Sequence, residues 1–173
     1  MKYLVTFLLI FTVGTSLVAQ SDAKKEQIAR LRTEVHTFLS EGDTVNARRS
    51  LEKLLKADKT NRADLYLALG RIAEEKQETK KAIKYYRQSI NSNKTSHKPY
   101  YSLGAMYYND AVAILNNAEH AFANDPKQRE AEISKGLESL KKALPYLETG
   151  LQLSGDVDIY QPPLKAIEGY LQR

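Results

Sequence analysis

The residues best suited to proton or metal chemistry in this 173-residue chain are three histidines, His36, His97 and His120, and the carboxylate beside the last of them, Glu119. Imidazoles that share a metal usually sit a few residues apart, as in His-Glu-x-x-His, or are joined by cysteines. Here the three are far apart in sequence and the chain has no cysteine, so no local metal site is expected. Glu119-His120 could move a proton, but no third group orients the pair and nothing nearby would hold an oxyanion. The glycines after the leader, Gly42, Gly70, Gly104, Gly136, Gly150, Gly155 and Gly169, are scattered singly rather than gathered into a phosphate loop. Eleven tyrosines without a tryptophan could stack on bases or sugars, yet Tyr66, Tyr86, Tyr100 and Tyr107 fall at buried helical positions. The expectation is a protein that is not an enzyme and has no cofactor, no metal and no nucleic-acid partner.

The elements that position these residues are helices. Over 63–90, Leu65, Tyr66, Leu69, Ile72 and Ala73 share one stripe, and Ala82, Ile83, Tyr86 and Ile90 another. Gly70 stands in mid-helix, where glycine costs about 1 kcal/mol against alanine, so it is expected to face Ala82 where two helices approach closely. The pattern recurs. Tyr100, Leu103 and Gly104 repeat Tyr66, Leu69 and Gly70 at one constant offset, and Ala47 precedes Ala82 by nearly the same interval.

These positions, with Ser89, resemble the tetratricopeptide repeat (TPR), a helix-turn-helix unit of about 34 residues. The resemblance implies an all-α, right-handed α-solenoid of about three TPR-like hairpins, over 28–60, 63–96 and 97–157. A C-terminal capping helix over 163–172 would close the array.

Ahead of the repeats, Lys2, an apolar run from Leu4 to Val13 and a small residue at Ala19 read as a signal peptide over 1–19. A membrane span needs about 20 apolar residues, which this run does not reach. Cleavage after Ala19 would leave a domain over 20–173 beginning at Gln20, exported, periplasmic by first expectation and otherwise secreted or envelope-associated. Removing Lys2 changes the balance from 26 basic and 21 acidic residues to 25 and 21, net +4. Basic residues such as Lys80, Lys84, Arg87, Lys141 and Lys142 are interleaved with acids and read as solvated faces. Without disulfides, stability must come from helix packing.

The first hairpin is expected as a helix from about Asp22 to Ser40, striped by Ile28, Leu31, Val35, Phe38 and Leu39, and a second from Thr44 to Ala57, striped by Val45, Ala47, Leu51, Leu54 and Leu55. Asn61, Ser96 and Asp125 are candidate helix caps. The third hairpin is longer. The interval from Gly104 to the matching Ala143 is more than three times that from Gly70 to Ala82, an insertion as long as the stretch 113–139. Ile133, Leu137, Leu140, Leu144, Leu147 and Leu151 form a heptad seam, and Pro145 should kink that helix. Having no part in forming a repeat, residues 113–139 are expected to protrude and to be removable. YYNDAVAILNNAEHAF followed by KGLESLKKALPYLETGLQL, with its ALPYLE element, is similar to a group of exported TPR proteins of Gram-negative bacteria with a lengthened final hairpin. That likeness implies binding or scaffolding.

The favoured expectation is an adaptor, monomeric, whose first-of-pair helices line a concave groove for a peptide or protein partner. Groove candidates are Arg32, His36, Arg71, Glu75, Tyr101, Tyr108 and Asn109. Some TPR proteins clamp a terminal carboxylate in this groove, a pattern that Arg32, Arg71 and Lys98 match in part. The alternative is a structural part of an envelope assembly that docks through the extended hairpin.

Overall fold

The computed structural model describes residues 2–122 and 124–172, with side chains from Gln20 onward. The expected signal peptide and its cleavage point after Ala19 therefore fall outside the described side chains, although the backbone of 2–19 continues the first helix. Among the described residues no helix is long and apolar enough to cross a membrane.

Seven α-helices follow one another: α1 (Lys2–Ser40), α2 (Thr44–Ala57), α3 (Arg62–Glu75), α4 (Thr79–Ser92), α5 (His97–Ala121), α6 (Pro126–Ser154) and α7 (Val157–Leu171). They pair as the hairpins α1–α2, α3–α4 and α5–α6, stacked as a TPR-like helical solenoid, and α7 packs on α6 while also reaching α5. The core is divided accordingly. Leu31, Leu51, Leu54, Leu65 and Leu69 join α1, α2 and α3; Leu67, Ala73, Ala82, Tyr86 and Leu103 join α3, α4 and α5; and Leu115, Leu140, Leu147, Tyr160, Leu164 and Ile167 join α5, α6 and α7. Each helix has one apolar stripe, and only neighbours in the stack can cover it. Two residues assigned to the first stripes, Leu39 and Val45, instead face solvent at 45% and 63% exposure.

The close helix contacts occur at the glycines, with partners other than those expected. A Cβ on Gly70 would lie 2.4 Å from Cε1 of Tyr86, so the glycine makes room for a fully buried ring rather than for the backbone at Ala82. Gly104 receives Leu147, Gly136 receives Leu115, and Gly150 receives Tyr160. Each is a socket for a large side chain of another helix. The interval from Gly104 to Leu147 exceeds that from Gly70 to Tyr86 by the same amount that Gly104–Ala143 exceeds Gly70–Ala82, so the insertion lengthens the third hairpin without changing its register.

The turns follow local chemistry. Gly42 adopts φ 73° and Gln77, in the equivalent turn of the next hairpin, φ 57°. In both, the following amide donates five residues back, Asp43 to Phe38 and Glu78 to Ala73. Asp43, Asp125 and Asp156 cap α2, α6 and α7 by accepting from Asn46, Gln128 and Ile159 amides. Asn61 and Ser96 occupy the expected cap positions without making a side-chain cap bond.

Three expectations are corrected. The first helix begins well before Asp22. The last begins at Val157, so Pro162 and Pro163 lie inside it rather than opening it. And residues 113–139 are not a free arm: Leu115, Ile133 and Leu137 pack into the core shared with Tyr170 and Leu171 of α7. α6 runs on through Pro145, where Thr149 Oγ1 donates to the Pro145 carbonyl.

Between α2 and α3 the buried Asp58 accepts from Thr60 Oγ1 at 2.6 Å, Thr60 N at 2.8 Å and Arg32 Nη2 at 2.7 Å. These donors, the Thr60 pair foremost, hold its carboxyl well below the usual carboxylate range. A depressed carboxylate stabilises the fold above its ordinary pKa of 3.8, and that contribution is lost as pH falls below it. Asp58→Asn is expected to cost about 1–3 kcal/mol at pH 7, because buried donors lose their acceptor. Thermal melts of the variant and the parent should keep a constant gap from pH 7 down to about the ordinary pKa of 3.8, and the gap should close only as the pH falls on below that value toward the depressed folded pKa; a gap that does not narrow in strong acid would show that the charge at Asp58 is not what matters.

Candidate functional site

The seven residues assigned to the concave face separate into two groups. Arg32 commits its guanidinium to Asp58. Tyr101 lies edge-on to Tyr160 of α7, centroids 5.3 Å apart, and Tyr108 packs into the C-terminal core. Those three have partners within the fold, while Arg32 and Tyr101 remain exposed as well. His36, Arg71, Glu75 and Asn109 are exposed on α1, α3 and α5. Among the described residues no hydrogen bond or ion pair joins any two of the seven, and Lys98 is likewise exposed. Of the pair considered for proton chemistry, His120 is exposed and Glu119 borders a cavity of about 550 Å³ with Leu115, Asn116, Ile133, Leu137 and Tyr170.

A cavity that the sequence did not reveal lies between α4, α5 and α6. Arg87 of α4, Tyr100 and Tyr107 of α5, and Lys141, Lys142, Pro145, Tyr146 and Thr149 of α6 line a cleft of about 670 Å³. Its position follows from the packing: α5 lies between the second helices of successive hairpins, α4 and α6, and forms the floor between them. Tyr100 and Tyr107, expected in buried slots, are half-buried because they form that floor. Tyr107 and Tyr146 stack with centroids 6.0 Å apart and 23° between planes, and Arg87 Nη2 donates to the Tyr107 hydroxyl at 3.2 Å. Tyr107, with Tyr146 beside it, pushes the Arg87 pKa up and keeps the guanidinium charged.

No carboxylate lines this cleft. Glu138, one turn before Lys142, pairs with it at 2.8 Å and holds its pKa up. Among the described residues Arg87 and Lys141 have no acidic partner within ion-pair distance. The interleaving of charges seen in sequence is thus thinned locally, where α4 and α6 bring three cations to one cleft and only Lys142 keeps an ion pair. The sequence signal was faint: Lys142 and Tyr146 share a helix face at i, i+4, but Arg87 and Tyr107 come from distant positions. Among the described residues there is no group of three or more His, Cys, Asp or Glu side chains arranged to hold a metal.

A family model for the tetratricopeptide repeat matches residues 63–96, the α3–α4 hairpin with its flanking turns. The chain is similar in structure to a TPR repeats protein from Bacteroides fragilis, with a TM-score of 0.56 at 21% identity over 78% of this chain. It spans 64% of that protein's length. It also aligns with MamA at 19% identity over 91% of this chain and 82% of the other, with a TM-score of 0.46. No curated protein sequence matches the chain. The likeness is one of fold.

Proposed function

We propose that the chain is a non-enzymatic adaptor or scaffold that binds a peptide or protein segment, and that it works in the bacterial envelope after export. The observation that carries this reading is the stack of hairpins itself. Its apolar stripes are covered mainly between neighbours, Leu39 and Val45 apart, while the side chains of His36, Arg71, Glu75 and Asn109 stay exposed and, among the described residues, without a hydrogen bond or ion pair. Side chains so placed on successive helices suit recognition of an extended segment. Export is supported by Lys2 and the apolar run from Leu4 to Val13, and by the likeness of the ALPYLE region to exported TPR proteins of Gram-negative bacteria.

Cross-linking in the native cell followed by mass spectrometry tests this reading. The expected result is a protein partner cross-linked to exposed positions of α1, α3 or α5, whose capture falls at least tenfold in an Arg71→Glu, Glu75→Arg double variant. Both sites are exposed, so the melting behaviour should stay within about 0.5 kcal/mol of the parent. Cross-links confined to residues 113–139 would favour a structural part docking through the long hairpin, and no protein cross-link at all would overturn the adaptor.

A further inference from the structure

The cleft between α4, α5 and α6 has three properties that together describe a ligand. Its charge is only partly compensated: Arg87, Lys141 and Lys142 line it, Glu138 pairs with Lys142 and lies near Lys141 from outside the lining, and Arg87 has no carboxylate at ion-pair distance among the described residues. Its walls are aromatic, with the Tyr107 and Tyr146 rings stacked and Pro145 beside them. Its polar capacity is mixed, since the Tyr100, Tyr107 and Tyr146 hydroxyls and Thr149 can accept as well as donate. Pro145 adds to this, because it has no N–H to give the carbonyl of Lys141, the residue four positions earlier.

Each property excludes a ligand class. A purely apolar segment would bury Arg87 and Lys141 without partners, which is costly. A bare inorganic anion would leave the aromatic walls unused. An extended peptide with alternating carboxylate and apolar side chains satisfies all three, since successive side chains point to opposite sides and its amides supply both donors and acceptors. The cleft's volume lies within the range of about 300–1,000 Å³ typical of sites that enclose small ligands or anchor side chains.

We infer that this cleft is a second docking site on the adaptor, taking a short extended acidic segment of a partner protein whose carboxylates meet Arg87, Lys141 and Lys142 and whose apolar side chains lie on Tyr107, Tyr146 and Pro145. The inference rests on the adaptor reading but uses a different set of residues from those on which that reading stands. Arginine is suited to a bidentate contact because its planar fork binds a carboxylate through two parallel N–H groups, and Arg87, though exposed, is already oriented by the Tyr107 hydroxyl. Lys141 and Lys142, at the exposed lip, would speed capture and make it salt-dependent.

The test is fluorescence anisotropy of the full chain with a labelled pentapeptide alternating aspartate and phenylalanine, beside its asparagine counterpart. The expected result is saturable binding of the aspartate peptide, weakened at least tenfold by Arg87→Glu combined with Lys141→Glu and weakened by added salt, with little binding of the asparagine peptide. Tyr146→Ala should weaken binding while retaining the salt dependence, and Tyr146→Phe should restore most of it. Circular dichroism melts of each variant verify that the fold is intact. Equal binding of the two peptides, binding untouched by the cleft variants, or displacement by an equal concentration of inorganic phosphate would each overturn the acidic-segment site. So would loss of binding through Arg71→Glu with Glu75→Arg alone, which would place the peptide at those residues instead. Failure here would leave the cross-linking result for the adaptor standing, so the two can fail separately.

Discussion

Gly70→Leu is expected to destabilise the fold by about 3 kcal/mol or more, the upper end of what overpacking a filled core costs. Even a Cβ there would stand 2.4 Å from Cε1 and 2.6 Å from Cδ1 of Tyr86. That ring cannot move aside cheaply. It is fully buried, and its hydroxyl donates to Glu74, a contact that together with burial pushes the phenol pKa up. For a chain of this length the loss corresponds to a drop in Tm of about 6–12 °C. The control is Gly169→Ala in α7, where a Cβ would meet nothing within 4 Å. There the helix-propensity gain of about 0.5–1 kcal/mol should raise Tm slightly. Thermal melts of both variants decide the matter: if Gly70→Leu melts with the parent, the socket and the pairing of α3 with α4 are wrong.

The second large effect is expected at Tyr160. Its side chain is fully buried, fills the space above Gly150, lies edge-on to Tyr101, and places its hydroxyl 3.2 Å from His97 Nδ1 and 3.3 Å from the His97 carbonyl. Tyr160→Ala should cost about 3–5 kcal/mol, as truncation of a large buried aromatic side chain does. Because this residue attaches α7 to both helices beneath it, the loss should appear first as protease cleavage within α7, ahead of global melting. Tyr160→Phe keeps the ring and loses only the hydroxyl contacts, so about 1 kcal/mol is expected. If α7 resists protease in Tyr160→Ala, then Leu164 and Ile167 hold it without help.

Much of the fold was legible because packing leaves a signature at fixed distance along the chain. Gly70 and Gly104 stand one repeat length apart, and the space each leaves is filled from the next helix, so the interval reports the stacking. What occupied the space was not legible, since Tyr86 and Ala82 lie one turn apart on the same stripe and either would satisfy the pattern. The start of α7 was misjudged for a related reason. Proline usually opens a helix, but the Asp156 cap and the seating of Tyr160 begin this one before Pro162, against a penalty of about 3 kcal/mol for an interior proline. The lengthened hairpin was read correctly in register and wrongly as free-standing, because the residues that cover it, Tyr170 and Leu171, arrive from the far end of the chain. The cationic cleft escaped for the same cause: Arg87 lies on α4 and Lys141 and Lys142 on α6, far apart along the sequence, and only the packing of α4 and α6 against α5 brings them to one cleft with the tyrosines. Of the residues assigned to the concave face, Arg32, Tyr101 and Tyr108 also take partners within the fold, because Asp58 beyond α2, Tyr160 and the C-terminal core reach them from distant parts of the chain.

The return of α7 onto α5 as well as α6 gives the stack a direction of growth. Repeat arrays lengthen when a duplicated unit is slotted against an existing end. At the carboxyl end of this chain that berth is taken: a new hairpin laid on α6 would have to evict the Tyr160 ring from above Gly150 and strip Leu164 and Ile167 of their cover. Between earlier hairpins the contacts run from one hairpin to the next without a later helix turning back over them, so a whole unit can be interposed with its own glycine and its own large side chain. An additional hairpin would therefore enter more readily upstream of α5 than between α6 and α7, and the last three helices would be inherited together.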